Sequence, residues 1–161
     1  MGGGPMRIHL GIGTGTQTVE VRYRCVQQVL EPNPVPHGLT GEAEVRRALA
    51  EPIGTPRLRE IVHPGESIAI ITSDITRPMP TWTVMPPLLE ELYAAGVQPE
   101  DITLVFALGS HRKHTEEEMR HLAGERAFRE IRCVDGDPND CVHLGVTSRG
   151  TPVDIIRVVA E

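Results

Sequence analysis

Aromatic side chains make up only 3% of the 161 residues, so a core has to be built from Val, Ile, Leu, Ala and Met. Lysine is almost missing: Lys113 is the only one, and every other side chain that is cationic at neutral pH, histidines aside, is an arginine. A mechanism that needs a lysine has one candidate. No basic run is present, and the formal net charge of -6 with a pI near 5.6 excludes a general nucleic-acid binder, which needs clustered cations against phosphates. No apolar stretch reaches the roughly 20 residues that cross a bilayer, so no membrane partner is expected. Met1-Gly2-Gly3-Gly4-Pro5 has neither a cationic n-region nor an apolar h-region, which argues against a signal peptide and for the cytoplasm. Cysteine is scarce as well. Cys25, Cys133 and Cys141 are widely spaced and odd in number, a pattern that excludes a disulfide framework or zinc knuckle and suggests buried thiols.

The most organised stretch is Ser67 to Pro78, an apolar, β-branched run that stops on Ser73-Asp74-Ile75-Thr76-Arg77 before Pro78 and Pro80. Ser67 to Thr72 is apolar on both parities, which predicts a strand covered on both faces, as in a parallel sheet. Pro78 and Pro80 cannot extend a ladder, but each can start a helix. In open α/β sheets, ligands bind beyond the carboxyl ends of the strands, where helix N-termini present free N–H groups. Asp74, Thr76 and Arg77 then offer an acceptor, a hydroxyl and a planar cation to a phosphate or carboxylate. The plainer alternative is that Asp74 caps the next helix and Arg77 pairs with it on the surface.

Upstream, Arg7 to Leu10 and Thr18 to Arg24 read as strands around Gly11-Ile12-Gly13-Thr14-Gly15-Thr16. Those glycines lack the lysine of a P-loop and the helix-opening context of a dinucleotide fingerprint, so a hairpin turn is predicted. Helices are predicted over 40–50 and 56–62. Downstream, Met85, Leu88, Leu89, Leu92 and Tyr93 form a helical stripe, with Gly96 and Val97 as its C-terminal cap. Pro86-Pro87 should kink that helix or mark its start. Residues 101–108 form a second buried strand, which completes a βαβ unit with parallel strands. Both strands then end on one rim, bringing Asp74 to Arg77 together with Gly109-Ser110-His111.

Thr115 to Glu118 is a capping box opening another helix, residues 128–134 a helix end and strand, and residues 135–140 an acidic turn without EF-hand spacing. Strands are predicted over 142–146 and 152–159, joined as a hairpin. The chain is thus expected to be a single α/β domain over 1–161: a mainly parallel sheet flanked by helices, after an N-terminal antiparallel hairpin.

His111, at a strand end and ahead of a helix, can exchange protons near neutral pH; a surface histidine in a polar loop is the alternative. His111, His114 and His121 have spacings that suit metal ligands, but they straddle a loop-to-helix boundary, and no metal ligand is assigned.

Ser73-Asp74-Ile75-Thr76-Arg77-Pro78, the Pro-Pro-Leu-Leu-Glu-Glu-Leu helix ending in Ala-Ala-Gly-Val, and Ala107-Leu108-Gly109-Ser110-His111-Arg112 with Thr115 and Glu118 occur in that order. Together with Leu144-Gly145-Val146-Thr147-Ser148-Arg149-Gly150-Thr151-Pro152, this set resembles the N-terminal domain of the nickel-dependent lactate racemase family. The resemblance implies racemisation or epimerisation of a small 2-hydroxy acid. It implies a nickel pincer nucleotide, the nickel pyridinium-3,5-bisthiocarboxylate mononucleotide, which takes and returns a hydride. Asp74, Ile75, Thr76 and Arg77 would contact that cofactor, and Arg77 would also lie near the substrate. His111 would be one of two histidines exchanging a proton with the substrate hydroxyl. In the family, the second histidine, the cofactor-attaching lysine and a nickel-binding histidine lie beyond the part matching Thr151-Pro152, and Lys113 does not match the attachment lysine. The resemblance therefore implies an incomplete domain, inactive alone, whose partner is the missing C-terminal part of the same enzyme. The alternative is a non-catalytic module that binds a nucleotide or phosphate.

Overall fold

A computed structural model describes residues 4–77 and 79–161. Two compact units divide the chain, Met1–His37 and Gly38–Glu161.

In the first unit, β1 (Pro5–Ile12) pairs antiparallel with β2 (Gly15–Arg22), and Ile12 lies opposite Gly15. Only Gly13 and Thr14 remain to turn the chain, and Gly13 takes φ 53°, a left-handed conformation that glycine adopts without steric cost. The glycine-rich stretch is thus a hairpin turn, as its sequence predicts. The register sets Arg7 against Glu20 and His9 against Thr18, and both pairs are hydrogen-bonded across the strands.

The second unit begins with α1 (Gly41–Ala50) and the single turn α2 (Leu58–Ile61). A parallel sheet follows, made of β3 (Ile68–Ser73), β4 (Ile102–Ala107) and β5 (Arg132–Asp135) in the order β3-β4-β5. Helix α3 (Thr81–Ala94) links the first two strands; α4 (Glu116–Ala123) and α5 (Glu125–Glu130) link the second two. The chain ends in an antiparallel hairpin, β6 (Cys141–Val146) and β7 (Pro152–Ile156), and the short α6 (Arg157–Ala160). This is the α/β architecture expected from the sequence.

Strand order explains which face is covered. Two crossovers of the usual hand that advance in the same direction deliver their helices to the same side of the sheet. Met85, Leu89 and Leu92 of α3, Leu122 and Ala123 of α4 and Ala127 of α5 accordingly share one core with Ile102, Leu104 and Phe106 of β4. Each of these large side chains contributes about 1.5–3 kcal/mol by leaving water. On the opposite face, Ala69 is exposed and Ile71 is 57% exposed. The expectation that β3 is covered on both faces therefore fails, because apolar parity records residue type and not where the crossovers run. Val105, on the same side as Ile71, is buried. A β-carbon on Gly136 would fall 2.6 Å from Cδ1 of Ile156 and 3.8 Å from Cγ1 of Val105, so the side chain that ends β7 sits close to the sheet there.

Helix α3 begins at Thr81, with Pro80 as its N-cap, and carries Pro86 and Pro87 inside it. The proposed helix start at Pro78 lies outside the described residues. Each internal proline removes an amide donor, yet Pro87 is buried beside Met85 and Leu89, and packing holds the helix where local propensity would break it. At the other end, Val97 N–H donates to Leu92 O (3.3 Å) and Gly96 N–H to Tyr93 O (2.9 Å), with Gly96 at φ 90°: the predicted glycine cap, with Val97 and Leu92 buried together. The buried Glu91 accepts from Arg57 (3.2 and 3.1 Å) and Arg59, tying α2 to α3.

Two smaller expectations also change. The final strand stops at Ile156, because Arg157 N–H donates to Asp140 O (2.9 Å) and its side chain reaches Asp140 (2.8 Å), turning the chain into α6. Cys25 is exposed, whereas Cys133 and Cys141 are partly buried, and all three thiols are free. No helix is long and apolar enough to cross a membrane among the described residues.

Candidate active site at the carboxyl rim of the sheet

Parallel pairing with Ser73 opposite Ala107 brings the ends of β3 and β4 to one rim, and each strand continues into a polar loop. Past β3, the amide of Arg77 donates to Asp74 O (3.1 Å), which closes a turn over Asp74 to Arg77. Past β4, the amide of His111 donates to Leu108 O (3.0 Å), with Gly109 at φ 58°. The two turns face each other across a cleft of about 510 Å³ whose walls include Ile71, Ser73, Asp74, Arg77, Ala107 and His111. Its floor is the uncovered side of the sheet.

Asp74 is almost completely buried, at 3% exposure, although it is ionisable. One carboxylate oxygen accepts from the Thr76 hydroxyl at 2.8 Å, and the other is hydrogen-bonded to Nδ1 of His111. Burial pushes the Asp74 carboxyl up, but the bonds from Thr76 and His111 outweigh it and hold it below its usual range. Asp74 is therefore an anion near neutral pH. An anion at Nδ1 selects the tautomer of His111 that carries its proton there and leaves Nε2 as the acceptor. His111 is partly exposed, and its Nε2 has no hydrogen-bond partner among the described residues. This is the arrangement in which an aspartate orients an imidazole for proton transfer at its far nitrogen.

Arg77 is exposed on the cleft wall, with no ion-pair partner among the described residues. The alternative in which it pairs with Asp74 is not what forms; Asp74 is taken by Thr76 and His111. Neither does Asp74 cap α3, whose N-cap is Pro80. Ile75 is partly exposed, and its backbone amide donates to Nε2 of His114 (3.0 Å). Arg112 is committed elsewhere, gripping Glu118 with two bonds of 2.8 and 2.7 Å. Glu118 in turn completes the predicted capping box of α4: its amide donates to Thr115 Oγ1 (3.2 Å) and its carboxylate accepts from Thr115 N–H (2.9 Å).

The model for the lactate racemase N-terminal domain matches residues 12–161. The chain belongs to that family. Curated lactate racemases from Thermoanaerobacterium thermosaccharolyticum and Lactiplantibacillus plantarum are each 32% identical to this family member over 126 residues, which is 76% of the chain. The chain spans only 29% and 30% of those two proteins. The structure of the lactate racemase apoprotein from T. thermosaccharolyticum superposes with a TM-score of 0.75 at 28% identity, over 95% of this chain and 36% of that one.

In this lactate racemase N-terminal domain, Asp74, Thr76, Arg77 and His111 meet at one rim, as the βαβ reading of the sequence requires. His114 separates from His111: it is buried beneath the loop against Asp135, while His121 is exposed and stacks near Trp82. Among the described residues, no group of three His, Cys, Asp or Glu side chains is placed to hold a metal ion. Sequence reasoning missed the His114–Asp135 pair. The signal was available, because residues up to 134 read as a third strand, and Asp135 ends it on the same rim.

Proposed function

We propose that this domain supplies one proton-exchanging half of a 2-hydroxy-acid racemase or epimerase site, with Nε2 of His111 as the acid/base. The observation that carries this reading is the buried Asp74 carboxylate on Nδ1 of an exposed histidine, over a cleft, in a member of the lactate racemase N-terminal domain family. Nε2 would take the proton of the substrate hydroxyl as the carbon is oxidised and give it back on reduction. Asp74 keeps the ring in the competent tautomer and stabilises the transient imidazolium. Arg77 offers a planar cation to the substrate carboxylate or to a cofactor phosphate.

The residues fit the organic part of a nickel pincer nucleotide. An unpaired arginine, the hydroxyls of Ser73 and Ser110 and the open backbone at Gly109 suit a phosphate-bearing ligand, with Asp74, Ile75, Thr76 and Arg77 as the holding loop. They do not form a nickel ligand set, so metal coordination falls to the cofactor's own atoms and to residues outside those described. When bound, that cofactor supplies the hydride acceptor and donor. The match covers only 29% and 30% of the two relatives, and the second proton-exchanging group would come from the part of the enzyme that the match leaves out. It also treats 1–161 as one domain of that enzyme, working in the cytoplasm, where free thiols persist.

The test is racemisation of D- and L-lactate by the cofactor-loaded enzyme. His111→Ala should lower kcat by about 10²- to 10⁴-fold, the usual worth of a positioned acid/base. Unchanged racemisation by that variant removes the role of His111. A second reading, a non-catalytic phosphate- or nucleotide-binding module, is favoured by the unpaired Arg77. Tight nucleotide binding that depends on Arg77, without racemisation of any 2-hydroxy acid, would establish it.

A further inference from the structure

Behind the loop that carries Asp74 lies a histidine that no ligand can reach. The side chain of His114 is 1% exposed and that of Asp135 is 6% exposed. Nε2 of His114 accepts the amide proton of Ile75 at 3.0 Å, so this nitrogen carries no proton of its own. The proton of the neutral ring is then on Nδ1, which donates to Asp135 Oδ1 at 2.6 Å. The other oxygen of Asp135 accepts the His114 backbone N–H at 2.8 Å, and Phe106 closes the ring's edge at 5.3 Å between centroids. Both ring nitrogens are used, and both face backbone or a carboxylate.

The Ile75 amide belongs to the peptide group whose carbonyl is that of Asp74. That carbonyl accepts from Arg77 N–H, and the Asp74 carboxylate accepts from Thr76 and His111. Fixing the Ile75 amide fixes the plane of this peptide, and with it the direction in which Asp74 leaves the chain. We propose that His114 is a positioning residue: locked by Asp135 in its Nδ1–H tautomer, it grips the Ile75 amide and thereby holds the Asp74 carboxylate against His111. The tautomer matters because a ring protonated on Nε2 would present a donor to a donor. Any effect on racemisation rests on the function proposed above; the grip on the loop does not.

The experiment is NMR on the isotope-labelled protein, with His114→Phe to keep the ring shape without an acceptor and His114→Gln to restore an acceptor near the position of Nε2. In the unsubstituted protein, His114 should show a protonated Nδ1, a bare Nε2 and a scalar coupling between Nε2 and the Ile75 amide nitrogen. In His114→Phe, the Ile75 amide should exchange roughly tenfold faster with solvent, and the Asp74 carboxyl should titrate at higher pH. His114→Gln should return both toward the starting values. A His114 protonated on Nε2 in the unsubstituted protein overturns the proposal, even where His114→Phe does not fold. So does a folded His114→Phe whose Ile75 exchange and Asp74 titration are unchanged, since a merely space-filling histidine would give that result. None of these readouts needs turnover. If the loaded enzyme racemises, His114→Phe should lower kcat far more than it changes KM; if it never racemises, the function reading fails while the NMR outcome still decides this one.

Discussion

The hydroxyls of Thr72 and Thr81 lie 2.6 Å apart, both buried, joining the end of β3 to the first residue of α3. The loop carrying Asp74 to Arg77 leaves and returns within these two points, so the bond fixes the base of the site. Either threonine changed to valine strands the other hydroxyl in the core, at a cost of about 1–3 kcal/mol. The double variant Thr72→Val with Thr81→Val strands nothing and should lose much less than the sum of the two. A double-mutant cycle by urea unfolding measures the difference, and simple additivity would show that the two hydroxyls do not depend on each other.

Asp74→Asn keeps the shape of the side chain but removes the anion that selects the tautomer of His111. On the function proposed above, kcat for lactate racemisation by the complete, cofactor-loaded enzyme should fall by about 10²- to 10⁴-fold, with little change in KM. A raised KM for lactate with an intact kcat would instead make Asp74 a substrate contact.

Glu91 gives stability a defined pH dependence. Hydrogen bonds from Arg59 and then Arg57, working against burial, draw its carboxyl from the ordinary 4.5 down to about 2. Because the folded value lies below the unfolded one, this contribution is fully present above 4.5 and is lost as the pH falls toward 2. The melting temperature should drop across that window. Glu91→Gln should lower it at neutral pH and flatten the acid limb; an equally steep limb in the variant would assign it to other carboxylates.

Thiol reactivity should separate the cysteines. Burial pushes the Cys133 thiol up to about 11, whereas Cys25 is exposed. At pH 8, iodoacetamide should modify Cys25 first and Cys133 last in the folded protein. Equal rates by peptide mapping would mean that the sheet opens around β5 on the labelling timescale.

The site was legible where chemistry follows from topology. A strand ending on Asp74, a helical stripe and a second strand ending near His111 fix the two loops on one rim, whatever the details of packing. What pattern could not show was decided by distant partners. Pro86 and Pro87 call for a kink or a later helix start, yet α3 runs from Thr81 with Pro87 buried in the core. Ile71 has the look of a core residue, but the direction of the crossovers leaves it uncovered. His114 and Asp135 are 21 residues apart, and only the pairing of β4 with β5 brings them together. Arg157 has no local reason to end a strand until Asp140 is beside it.

The strand order β3-β4-β5 has one more consequence. Every strand of the parallel sheet pairs only with its neighbour in the chain, so no pairing must wait for a segment made much later. The loop closed at each step is one crossover long, which keeps the entropic barrier low and the folding rate high for a parallel topology. On the ribosome, β3 and α3 can greet β4 as it emerges, and that pair then serves as the template for β5. The Asp74–His111 pairing is complete at the first of these steps; the support from Asp135 arrives at the second.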